Sequence, residues 1–156
     1  MHTVSVRREI DASIEEVWRI LDDFGGVAKY NPSVETSKIV AGPESGNGAT
    51  RECTFYDGGR IEEQIVDYEP GTGYTVNFTD VGDFPLEKNV VEIGVESTDE
   101  TRTVVTMTSN FTPKFGPVGW LLAKMMMKSK FRETFEAVLS GLDSYVHSEQ
   151  KSTQAS

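Results

Sequence analysis

Cysteine occurs once, at Cys53, and histidine twice, at His2 and His147 toward the two ends of the chain. One cysteine excludes an intramolecular disulfide framework, and two histidines so placed leave no histidine-based metal site or Ser-His-Asp triad to assemble. Basic residues are also few: 15 Lys plus Arg against 25 Asp plus Glu leave a formal net charge of −10. That sign argues against a phosphate-backbone partner, so no nucleic acid is expected. The acids are spread along the chain rather than blocked, which is the pattern of a solvated surface. No apolar run reaches the roughly 20 residues of a membrane-spanning helix, and no basic stretch with an apolar core opens the sequence. The expectation is a soluble, cytoplasmic protein with no integral membrane association, no cofactor and no metal. Its oligomeric state is left open.

What is present is a chain of 156 residues, the size of one domain able to bury a core without staples. Its longest periodic stretch covers 118–146, after the breaker run Pro113, Lys114, Phe115, Gly116, Pro117. There Leu121, Phe131, Phe135, Val138, Leu142 and Tyr145 recur at three- and four-residue steps and predict one apolar side of a long helix. Residues 147–156 are polar and aperiodic and read as a disordered tail. The domain is therefore taken as 1–146.

Upstream, Val4, Val6 and Ile10 alternate as a first strand. Ser13 and Glu16 form a capping-box pair ahead of Ile14, Val17, Trp18 and Leu21, the buried side of a short helix. Gly25 and Gly26 end it, and one further turn is possible before Asn31-Pro32 forces extended backbone. Short β-like runs follow at 34–41, 49–56, 60–68, 74–79, 87–97 and 103–111. Links of hairpin length predict a mostly antiparallel meander. The glycines at 42, 46 and 48 lack the Lys-Ser/Thr pair and following helix of a phosphate loop. Asp57-Gly58-Gly59 signals a hairpin. Asp80, Asp83 and Glu87 have no metal-ligand spacing and read as a solvated loop. An apolar sheet face needs a cover, and the long helix supplies it.

Alternation divides 49–56 into Arg51, Cys53 and Phe55 against Thr50, Glu52, Thr54 and Tyr56, and the smaller, more apolar set is the expected interior. In 60–68 the register stays open between Ile61, Glu63, Ile65 and Glu62, Gln64, Val66, Tyr68. Tyr74, Val76 and Phe78, then Val91, Ile93 and Val95, then Val105, Met107, Ser109 and Phe111 complete an interior lining.

The order strand, helix pair, meander, long helix is joined by particular residues: Ile10 to Ser13 leading to Glu16, Val17 and Trp18; Asp23, Phe24 and Gly25; Gly48 to Arg51; Asp57-Gly58; and Glu63. Together these resemble the polyketide cyclase/dehydrase and lipid-transport family (SRPBCC) of the START-like superfamily. The resemblance implies an α+β helix-grip fold, a curved antiparallel sheet of about seven strands wrapped around the C-terminal helix over an apolar cavity. It also implies an interior Glu63, and so an interior Ile61 and Ile65. Phe24 and Tyr30, with Trp120, Met127 and Phe131 of the long helix, then fall at the entrance. The family has no universal catalytic motif to carry over.

Three functions follow as expectations. The first is binding or carriage of a small, largely apolar lipid, isoprenoid or aromatic, polyketide-like molecule. Its site is drawn from Phe24, Tyr30, Arg51, Cys53, Phe55, Glu63, Ile65, Tyr74, Phe78, Val91, Met107, Ser109, Phe111, Trp120, Met127 and Phe131. The second is a cyclase or dehydratase working through Arg51, Glu63 and Tyr74. The third is a stress-related regulatory module that uses the apolar helix start, Trp120 to Leu122 with Met125 to Met127, to bind a partner. A buried Arg51 and Glu63 must pair, either to anchor a ligand or to brace two strands. The lack of an interior histidine favours the first function.

Overall fold

The computed structural model describes the backbone of residues 2–114 and 117–155 and the side chains of residues 2–114 and 126–152. Seven strands form one antiparallel sheet in the order β1-β7-β6-β5-β4-β3-β2. They are β1 (His2–Ile10), β2 (Val34–Ala41), β3 (Thr50–Phe55), β4 (Arg60–Glu69), β5 (Gly73–Asp80), β6 (Leu86–Asp99) and β7 (Arg102–Pro113). Helix α1 (Ile14–Asp22) and a 3-10 helix (Phe24–Lys29) connect the two edge strands β1 and β2, and α2 (Pro117–Ala155) lies across the sheet. The expected helix-grip architecture is the observed one.

Local chemistry accounts for the elements. Ser13 caps α1: its hydroxyl accepts from the Glu16 N–H at 3.2 Å and donates to Glu16 Oε1 at 3.2 Å. The reciprocal arm of the cap thus runs through the hydroxyl. Between β3 and β4, Gly58 has φ +92°, a conformation that side-chain-bearing residues avoid, and Asp57 Oδ1 accepts from the Gly59 N–H at 2.8 Å. That turn sets the register in which Arg51 faces Glu63 and Cys53 faces Ile61.

The inner side of α2 consists of Phe135, Val138, Leu139, Leu142 and Val146, all buried. This is the expected stripe rotated slightly: Leu139 and Val146 are inside, whereas Tyr145 is half-buried at its margin. The helix also continues through Ala155, past the start of the 147–156 stretch that the sequence reads as a disordered tail. Polar residues extend it by reaching neighbours. Gln150 donates to Glu16 at 2.8 Å and Arg19 lies 3.8 Å from Glu149, tying the last turns to α1.

One close approach in α2 makes a sharp test. A Cβ added at Gly141 would stand 2.0 Å from the Tyr30 carbonyl oxygen. Alanine normally favours a helix over glycine by about 1 kcal/mol. Here Gly141→Ala is expected to destabilise by about 1–3 kcal/mol, because backbone must move to admit the methyl. Urea titration checks the sign, and a more stable variant would refute the contact.

Candidate functional site

Between α2 and the concave face of the sheet lies a cavity of about 590 Å³. Its walls are mainly apolar: Val27 from the 3-10 helix, Val34, Cys53, Phe55, Ile61, Val76, Phe78, Val91, Ile93 and Met107 from the strands, and Met127, Phe131, Phe135 and Val138 from α2. Tyr56, Asp57 and Lys130 are exposed members of the lining and mark where the hollow meets solvent.

Polar side chains gather at one end. Arg51 and Glu63 are direct partners across β3 and β4, and each is under a tenth exposed. The guanidinium donates from Nε to Oε1 and from Nη2 to Oε2, both at 3.3 Å, and from Nη1 to the Phe24 carbonyl at 3.0 Å. Its carbon also sits 3.9 Å above the Phe24 ring centroid, so the cation is held by a carboxylate, a carbonyl and an aromatic face. Cys53 Sγ donates to Glu63 Oε1 at 3.4 Å. Tyr74 donates its hydroxyl to the Leu21 carbonyl at 3.0 Å, and Tyr30 completes the group from the connecting segment.

These neighbours push titrations away from neutrality. Burial raises the Tyr30 pKa, opposed by Arg51, and burial again raises that of Tyr74 well above its ordinary value, with Tyr30 adding to the effect. Burial followed by the Glu63 charge raises the Cys53 thiol. Burial alone would lower the Arg51 pKa, but Glu63 and the surrounding Cys53 and tyrosines outweigh it and hold the guanidinium charged. A thiol kept protonated is no nucleophile.

Of the residues named from sequence, Tyr30, Arg51, Cys53, Phe55, Glu63, Tyr74, Phe78, Val91, Met107, Met127 and Phe131 line the cavity. Four others stand behind it. Phe24 is covered by the Arg51 guanidinium, and Ile65 is packed in the main core. Ser109 is turned to Asn89, to which it donates at 2.6 Å. Phe111 belongs to a second cluster with Val4 and Leu86 and meets Phe131 edge-on at 4.7 Å between centroids. The Trp120 side chain, like those of Leu121, Leu122 and Met125, lies outside the described residues. In the rest of that helix start Met126 is 69 % exposed while Met127 faces inward. Sequence reasoning missed Asn89, Thr134, Phe84 and Leu86 in the lining. Asn89 shares the parity of Val91, Ile93 and Val95, so the alternation already pointed to it.

A family model described as polyketide cyclase / dehydrase and lipid transport matches residues 1–147. No curated protein matches the sequence. Among solved structures, a START superfamily protein from Mycobacterium smegmatis is similar at 19% identity and TM-score 0.77, over 95% of this chain and 99% of that one. The protein XoxI from Bacillus cereus is similar at 21% identity and TM-score 0.77, over 96% and 99%. Norcoclaurine synthase from Thalictrum flavum, solved in complex with dopamine and hydroxybenzaldehyde, is similar at 16% identity and TM-score 0.71, over 94% and 87%. At these identities the likeness is one of fold.

Proposed function

The chain belongs to the polyketide cyclase/dehydrase and lipid-transport family, and from that membership we propose that it binds or carries a small, largely apolar molecule, such as a lipid, an isoprenoid or an aromatic polyketide-like compound, in the hollow under α2. The observation that carries this reading is the pairing of charge inside an apolar wall. Arg51 and Glu63 neutralise one another, so the site offers hydrogen bonds without net charge. Such a site suits a ligand that is apolar over most of its length with one neutral polar group. It is distinct from a cyclase or dehydratase, which needs an acid or base that titrates near the working pH. Burial raises Tyr30, Tyr74 and Cys53 further above that range, and both Glu63 oxygens already accept hydrogen bonds. No histidine lines the cavity among the described residues.

Titration with an environment-sensitive apolar fluorophore, seconded by calorimetry, should give a Kd in the micromolar range, about −8 kcal/mol. With Tyr30, Cys53 and Tyr74 raised by burial and no histidine in the lining among the described residues, the affinity should stay flat between about pH 6 and 8. No binding by either method at millimolar fluorophore would end the carrier reading. Native mass spectrometry of gently purified protein, should it hold a lipophile, names the class. Turnover of an aromatic polyketide mimic that is lost in Glu63→Gln would instead establish the cyclase.

A further inference from the structure

The cavity has a second polar point that the pairing of Arg51 and Glu63 does not explain. Asn89 is only 1 % exposed and lines the hollow from β6. Its Oδ1 accepts from the Ser109 hydroxyl at 2.6 Å, which fixes the amide plane, while its nitrogen donates to no group among the described residues. A buried amide donor facing an apolar hollow is costly unless something accepts from it. The geometry relates this donor to the first pole. Glu63 pairs with Phe78 in β5, and Asn89 stands in β6 one step past the Asn77–Val90 pair, toward Phe78. Two strand spacings therefore separate the backbones of Glu63 and Asn89, roughly 10 Å, with Phe78 on the strand between them and in the cavity lining.

We infer that Asn89 is a second recognition residue, and that the ligand is a slender, uncharged molecule with a hydroxyl at one end and a carbonyl at the other. The hydroxyl meets the neutralised Arg51–Glu63 pair, which both donates and accepts. The carbonyl accepts from the Asn89 amide, and the apolar body lies along Phe78. Because Glu63 already occupies Arg51, a carboxylate in place of the hydroxyl would have to displace it. This assignment rests on the carrier reading and narrows it to a bifunctional class.

The test uses two probes of one shape: para-phenylphenol carrying, at the far para position, either an acetyl group or an isopropenyl group, in which a methylene replaces the carbonyl oxygen. The wild-type protein should bind the acetyl probe about tenfold more tightly, the effect of one good hydrogen bond. Asn89→Leu should remove that preference and keep or improve the isopropenyl affinity. In ¹⁵N-labelled wild-type protein the Asn89 side-chain amide signals should move with the acetyl probe alone, a readout that stands even if the variant fails to fold. Equal wild-type affinities, or a preference that survives Asn89→Leu, would overturn the inference and leave the carrier reading intact. Failure of both probes to bind wild-type protein would also overturn the inference, while the carrier reading is decided separately by the apolar fluorophore.

Discussion

Arg51→Met and Glu63→Met, each alone, should lower stability by about 3–5 kcal/mol in urea titration, and the double variant should regain most of that loss. The expectation follows from position. The two side chains are neighbours on the concave face, each under a tenth exposed, and two charge-assisted contacts of 3.3 Å join them. Removing one member strands the other in an apolar wall, where an unpaired charge costs far more than the pair contributes. For Arg51→Met the stranded carboxylate keeps, among the described residues, the Cys53 thiol. For Glu63→Met the guanidinium keeps the Phe24 carbonyl and ring, so this variant should be the milder of the two. Replacing both by methionine leaves volume and apolar contact in place. Ligand binding then separates brace from anchor. If the pair anchors a polar group, the folded double variant loses affinity for hydroxyl-bearing aromatics and retains purely apolar ones. Unchanged affinity for both would make the pair a brace.

Phe135→Ala should cost about 3 kcal/mol, at the low end for deleting a buried phenyl ring because one side of the ring already borders the cavity. The ring packs with Phe131 at 6.0 Å between centroids, so its loss also loosens that neighbour. Lys130→Ala, an exposed position one and a half turns away, should change stability by less than about 0.5 kcal/mol. Equal effects of the two substitutions would mean that α2 presents another side to the sheet. The Phe135 variant should also accept bulkier apolar probes, since the deleted ring adds its volume to the hollow.

Much of this architecture is written in periodicity. Alternation alone put Arg51 on the same face as Cys53 and Phe55, and the Asp57-Gly58-Gly59 turn made β3 and β4 a hairpin. The fold of the whole chain followed from element order and the resemblance. What alternation does not encode is depth. Phe78 and Phe111 both point inward, yet Phe78 borders the cavity while Phe111 fills a separate cluster with Val4 and Leu86. Sheet curvature and the path of α2 decide between them, and neither has a local signature. Asn89 was passed over for a different reason: an amide in a strand reads as a surface residue until its neighbours' parity is followed through. The polar run after Val146 lacks apolar periodicity, and its helix is fixed by contacts with α1 that only the folded chain brings together.

The strand order has a kinetic consequence. β1 lies at the edge beside β7 alone, and Thr3 meets Asn110 across 107 residues of sequence. During synthesis β1 is therefore made long before its sole partner strand, while β2 through β7 can pair successively with the strand just completed. An alternating apolar strand kept waiting is an open template for wrong pairing. The capped α1 immediately behind it gives that segment a local structure to rest in until β7 has been made and β1 can pair with it.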